Sequence, residues 1–173
     1  MTTAYIQTYD NLVLDVQQYM ERDDADFVAQ IPTLIGLAES DIAAELKTLL
    51  QLVVVETTIL TGETVLIKPT RWRKTISMKV NGAPVLLRSQ DYVAQYLSES
   101  DPAQPKYYAE YDYNNWNFAP EPDQDYPVEI IYYSLVQPLD STNQTNLFTQ
   151  IAPQAMLFGT LLQAQGYLKA LDK

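Results

Sequence analysis

The spacing of apolar residues changes twice along this chain, and this limits the possible folds more than any other feature. Near the amino terminus apolar residues recur every three or four positions, as on one face of a helix. Between residues 52 and 133 the apolar segments are short, rich in β-branched and aromatic residues, and separated by turn residues, which is typical of strands. Helical spacing returns near the carboxyl terminus. The pattern predicts an α+β fold.

We expect the two helical ends to pack together as a platform and to carry the middle of the chain as an antiparallel β-rich insertion. Residues 1–50 would form the first part of the platform, residues 51–136 the insertion, and residues 137–173 the helix that completes the platform. A length of 173 residues with 47% hydrophobic content suits one globular unit.

Two helices are predicted in the first part. Thr8 or Asp10 would cap the first, and Asp24 or Asp26 the second. Their apolar faces comprise Leu12, Val16 and Tyr19, and then Ile31, Leu34, Ile35, Ala38, Ile42 and Leu46. The opposite face of the second helix would carry Glu39, Asp41, Glu45 and Lys47. In the last helix, Pro153 lies early and the apolar residues are Met156, Leu157, Leu161, Leu162, Ala164, Tyr167, Leu168 and Leu171.

The middle of the chain contains three hairpin signals. They pair residues 53–60 with 64–67, residues 75–80 with 84–87 around Asn81-Gly82, and residues 107–113 with 116–118. Residues 128–133 supply one more strand, and residues 91–97 a short helix. The pattern therefore predicts antiparallel pairing throughout the insertion.

Composition excludes several classes of function. The chain has no Cys and no His, which removes thiolate chemistry and the side chain used most often for proton transfer and transition-metal binding. A formal net charge of −11 opposes sequence-independent binding to nucleic acid. We find no apolar run long enough to span a bilayer and no secretion signal. We therefore expect no enzyme, no cofactor, no metal and no membrane association.

Three local clusters admit a functional and a structural interpretation. Glu110 and Asp112 could act as paired carboxylates on a glycoside, but a solvated strand face is the simpler explanation. Asp23, Asp24 and Asp26 lack the Gly and final Glu of a calcium loop, which favours capping. The aromatic and basic residues of the insertion favour packing or subunit contacts over binding of sugars or DNA: Arg71, Trp72, Arg73, Tyr107, Tyr111, Tyr113 and Trp116.

Two stretches near the ends resemble the adaptor, or head-completion, proteins of tailed bacteriophages. Residues 27–39, with Pro32 before an apolar turn containing Ala38-Glu39, resemble the opening helix of that family. Residues 146–148, 152–164 and Tyr167-Leu168 resemble its closing helix. Between them, Tyr132-Tyr133 and Pro138-Leu139 occur in the order that the family shows.

The resemblance implies a structural head-to-tail adaptor that assembles as a ring, usually of twelve subunits, in the neck of the virion. Its partners would be the portal protein, tail or neck proteins and further copies of itself, while DNA passes through the lumen as cargo. The exposed side of the last helix would face the portal through Gln163, Gln165, Lys169 and Asp172. The alternatives are another neck component, such as a tail terminator, and an aromatic-rich carbohydrate-binding module.

Overall fold

The computed structural model describes residues 6–46 and 51–171. Lys47 and Asp172 lie outside the described residues, as does the side chain of Leu171. Contacts divide the chain into two compact units, one made of residues 1–50 and 136–173 and the other of residues 51–135. The described residues form five helices and eight strands, which confirms the α+β class.

The first unit is helical. Its helices are α1 (Tyr9–Met20), α2 (Ala25–Glu45), α4 (Leu147–Ile151) and α5 (Pro153–Leu171). The caps fall at predicted positions: Thr8 accepts a hydrogen bond from Asn11 N–H at 3.2 Å, and Asp24 accepts one from Phe27 N–H at 3.0 Å.

The helical core confirms most of the predicted apolar faces. It buries residues of all four helices and the segment before α4: Leu12, Val16, Phe27, Ile31, Leu34, Ile35, Leu139, Phe148, Met156, Leu161 and Ala164. Three predicted core residues, Tyr19, Leu46 and Leu162, are instead exposed. Glu39 departs in the other direction, because it is buried although it was expected on the polar face.

The second unit holds two four-stranded sheets and one helix. Its elements are β1 (Leu52–Ile59), β2 (Val65–Ile67), β3 (Trp72–Val80), β4 (Ala83–Pro84), β5 (Leu86–Leu87), α3 (Gln90–Glu99), β6 (Tyr107–Glu110), β7 (Asn115–Ala119) and β8 (Tyr126–Ser134). The strand orders are β1-β8-β3-β4 and β2-β7-β6-β5. Apolar side chains of both sheets share one core, which includes Ile59, Met78, Trp116, Phe118 and Ile130.

One predicted hairpin is wrong and two are correct in position. β1 pairs with β8 and β2 pairs with β7, so residues 53–60 and 64–67 belong to different sheets. The turn at Asn81-Gly82 joins β3 to β4 as predicted. β5, which follows β4, belongs to the other sheet and pairs in parallel with β6. β6 and β7 form the third hairpin as predicted.

Two glycines should respond in opposite ways to alanine. Gly82 has a φ of +75° in the β3–β4 turn, so we expect Gly82→Ala to lower the free energy of unfolding by about 1 kcal/mol. Gly36 lies inside α2, where an added Cβ meets no atom within 4 Å, so Gly36→Ala should raise it by about 0.5–1 kcal/mol. Urea unfolding measures both changes. A destabilised Gly36→Ala variant would contradict this description of α2.

Candidate interaction surfaces

Two loops of the β-rich unit together form an exposed surface. The loop between β2 and β3 lies against the turn between β6 and β7, and Lys68 N–H donates to the Asn114 carbonyl at 2.7 Å. Ile67, Arg71 and Tyr113 are exposed here, and we call these three residues the tip. Ile67 and Tyr113 expose 75% and 78% of their surface. The tip therefore presents apolar area beside a guanidinium.

A buried lysine supports the tip from inside. The Lys68 side chain is only 3% exposed, and its ammonium pairs with the Glu110 carboxylate and donates to the Asp112 carbonyl at 2.8 Å. The same Nζ atom lies 4.0 Å from the centroid of the Trp72 ring, within range of a cation–π contact. The Lys68 ammonium is removed from water, and the carboxylate, the carbonyl and the aromatic ring around it compensate its charge.

The two tryptophans hold this lysine in place. Their rings meet edge to face with centroids 6.0 Å apart. Trp72 is half-buried and donates from Nε1 to Thr75 Oγ1 at 3.0 Å. Trp116 is fully buried, so it supports the tip through the core and offers no surface to a partner.

The turn between β6 and β7 is stiffened by Asp112. Its carboxylate accepts hydrogen bonds from Asn114 N–H at 2.6 Å and from the Asn115 side chain. The bond from Asn115 is the main cause that lowers the pKa of Asp112 below its usual value. Glu110 ends β6 and pairs with Lys68, whereas Asp112 lies in the turn and not on the strand face where it was expected.

The other predicted interface residues of this unit lie in distinct settings. Arg71 is exposed at a φ of +65°, Arg73 is half-buried, and Tyr111 is exposed. Tyr107 joins a second aromatic cluster with Tyr92 and Tyr96, with centroids 5.2 and 5.0 Å from its own. Sequence reasoning missed this cluster, although Tyr92 and Tyr96 are spaced as neighbours on one helix face.

The last helix presents an apolar strip together with two of its four predicted residues. Gln165 and Lys169 are exposed, and with Phe158 and Leu162 they follow helical spacing along one side, which we call the outer face of α5. Gln163 is half-buried and donates to Asp41 on α2 at 2.6 Å. Asp172 lies outside the described residues. Leu162 was predicted as a core residue and Phe158 was not assigned to either face, but both side chains are exposed.

A groove of about 740 Å³ lies between α1 and the junction of α4 with α5. The groove forms where α4 ends and α5 begins. The helical hydrogen bonding is interrupted there, because Pro153 has no N–H to donate to the Thr149 carbonyl. Gln7 N–H takes that place at 3.3 Å and draws the start of α1 against the junction. Tyr19, Ile151 and Phe158 give the groove an exposed apolar lining.

A buried carboxylate fastens α2 to the segment before α4. Glu39 accepts from Leu139 N–H at 3.1 Å and from the Asn146 side-chain amide at 2.5 Å. Asn146 also caps α4 through a capping box with Thr149. Burial raises the pKa of Glu39 above its ordinary value, and the two hydrogen bonds oppose this.

The described residues hold no group of three acidic side chains placed to bind a metal ion. Asp24 caps α2 and pairs with Arg22 at 3.1 Å, as the capping interpretation of the acidic link predicts. In the parts of the chain that the structure describes, no helix is long and apolar enough to cross a bilayer.

A family model described as SU10 adaptor protein matches residues 7–172, which is nearly the whole chain. No curated protein matches.

Proposed function

We propose that this chain, which belongs to the SU10 adaptor protein family of phage head-to-tail adaptors, assembles as a ring beneath the portal and joins it to tail or neck proteins. The family match over residues 7–172 carries the proposal. The mechanism is adhesion between shaped surfaces around a channel through which DNA passes. The proposal includes twelve copies per ring, a position in the virion neck, and no catalytic step.

The two units would divide this work. In the proposal, residues 1–50 and 137–173 form the platform, and residues 51–136 reach toward neighbouring copies. The outer face of α5 would meet the portal, because Phe158 and Leu162 offer exposed apolar area beside polar Gln165 and Lys169. Gln163 would contribute less, since Asp41 already occupies its amide.

The charge of the platform suits a channel for DNA. Residues 1–50 and 137–173 include eleven acidic residues and four basic ones, which are Arg22, Lys47, Lys169 and Lys173. A negatively charged wall repels the phosphate backbone, so the genome would slide without adhering. This part of the proposal requires the platform to line the lumen, and a ring with these residues on its outer wall would contradict it.

Light scattering on a sizing column tests the assembly directly. The purified chain is run alone and then with the portal protein of the same genome, and we expect it to co-elute in the stoichiometry of a ring. Leu162→Asp should weaken this co-elution at least tenfold, because it places a charge in the apolar strip. Leu14→Asp, at an exposed position of α1, is the matched control. A chain that ignores its portal would overturn the proposal.

The carbohydrate-binding alternative rests on the exposed rings of Tyr111 and Tyr113. Aromatic faces stack on sugar rings, and Trp72 lies beside the loop that supports these residues. Glycan titration with tryptophan fluorescence separates the two functions. Sugar binding would quench the emission, whereas an adaptor would leave it unchanged.

A further inference from the structure

We propose that the tip of one copy docks into the groove of the next copy in the ring. The tip is Ile67, Arg71 and Tyr113 of the β-rich unit, and the groove lies in the helical unit between α1 and the α4–α5 junction. The inference rests on the proposed ring assembly and names the two surfaces that would build it.

The groove offers both apolar area and a carboxylate. Asp15 lines it and accepts from Gln7 Nε2 at 2.8 Å, which leaves the amide oxygen of Gln7 on the other side. Gln7 is 1% exposed, and its Oε1 atom has no hydrogen-bond partner among the described residues. Because this oxygen is inaccessible, the acceptor that the groove offers is the half-buried Asp15 carboxylate, which favours a cationic donor.

The tip supplies the complementary groups. Arg71 carries five N–H donors and a permanent charge, which suit the Asp15 carboxylate. Ile67 and Tyr113 suit the apolar lining formed by Tyr19 and Ile151. A guanidinium between apolar anchors is a common composition for the centre of a protein interface.

The tip is also held in a fixed conformation before docking. Leu135 N–H donates to the Arg71 carbonyl at 2.7 Å, and Lys68 N–H to the Asn114 carbonyl at 2.7 Å. The Lys68 ammonium also binds the Glu110 carboxylate and the Asp112 carbonyl, which fixes the loop between β2 and β3. A rigid tip loses little conformational entropy on binding, so more of the contact energy appears as affinity.

A second copy is the occupant that the charges favour. Residues 1–50 and 136–173 include eleven acidic residues and four basic ones, while Arg71, Arg73 and Lys74 form the basic cluster of the β-rich unit. Tip and groove are different surfaces, so their contact is heterologous, and repeating a heterologous contact closes into a ring when the rotation permits.

Disulfide trapping tests this pairing, because the chain has no cysteine of its own. Tyr19→Cys marks the groove and Tyr113→Cys the tip, both at exposed positions whose replacement should leave the fold intact. The two single variants are mixed with portal protein and oxidised. We expect covalent dimers in the mixture and none from either variant alone. Glu63→Cys, at another exposed position, replaces Tyr113→Cys in the control and should give no dimers.

A charge exchange gives a second readout. Arg71→Asp and Asp15→Arg should each weaken assembly on the portal at least tenfold, and the double variant should recover most of it. Aspartate tolerates the φ of +65° at position 71, so Arg71→Asp is expected to fold. Thermal melts of all variants identify any that fail to fold.

The outcomes separate this inference from the proposed function. Rings on the portal without cross-links would overturn the tip-in-groove contact and leave the adaptor function standing. Dimers from Tyr113→Cys alone would indicate a symmetric contact and also overturn it. A chain that never assembles on the portal would overturn both.

Discussion

Replacing Trp116 with alanine is expected to lower the free energy of unfolding by about 3–5 kcal/mol, because the side chain is completely buried. The change removes the ring that meets Trp72 edge to face and leaves a cavity between the two sheets. It also removes one of the two aromatic faces beside the Lys68 ammonium. Urea unfolding measures the loss, with Trp72 as the remaining fluorescent reporter.

Two further variants make this test specific. Trp116→Phe keeps an aromatic ring in the core and removes an indole N–H that has no acceptor among the described residues, so it should cost much less than alanine. Tyr113→Ala removes a largely exposed ring and should change stability by less than about 0.5 kcal/mol. Equal losses in Trp116→Ala and Tyr113→Ala would contradict the burial described for this unit.

The sequence was sufficient to place most helices and strands, since their signals are local. Thr8 and Asp24 cap helices because their side chains reach the next turn, and Asn81-Gly82 forms a turn because both residues adopt positive φ. Local signals decide little about which strands pair. Turn residues separate β1 from β2, and such a short connection favours a hairpin. The two strands are instead buried in different sheets.

The pairing of β1 with β8 would also have been hard to predict from charge. Glu56 lies directly opposite Glu129, which is unfavourable for two like charges. Lys79 on the third strand compensates, since its ammonium donates to Glu129 at 2.7 Å. The strand order β1-β8-β3 places Glu56, Glu129 and Lys79 side by side, and the pairing of β1 with β8 alone does not show this.

The candidate surfaces were predictable in part. Sequence reasoning selected Arg71 and Tyr113 as exposed and selected Trp116 with them, because alternation in a short strand does not reveal that both faces of β7 are buried. The groove was missed, since it depends on Gln7 reaching the carbonyl that Pro153 leaves unpaired. Glu39 could have been found, because it lies four residues after Ile35 and three before Ile42, on the apolar face.

Glu39 gives the second large effect. Replacing it with alanine should lower the free energy of unfolding by about 2–4 kcal/mol, since the buried N–H groups of Leu139 and Asn146 lose their acceptor. Glu39→Gln keeps a side-chain oxygen in the same place and should cost less than about 1 kcal/mol. Urea unfolding of the two variants separates the loss of an acceptor from the loss of a charge. Equal costs would mean that the charge, and not the hydrogen bonds, fastens α2.

The pH dependence of Glu39→Gln follows from the direction of the pKa shift. Burial raises the pKa of Glu39 above 4.5, so the folded chain binds this proton more tightly than the unfolded chain does. The contribution of Glu39 to stability is therefore greatest below pH 4.5 and declines as the pH rises through the raised pKa. Glutamine does not titrate, so the variant should gain stability relative to the parent from pH 4.5 upward. Asp112, whose pKa is lowered, lies in the other unit and cancels in this difference, whereas the negative charge of Asp140 is itself one of the causes that raise the pKa of Glu39. A difference that stays constant with pH would show that the carboxylate is solvated in the folded chain.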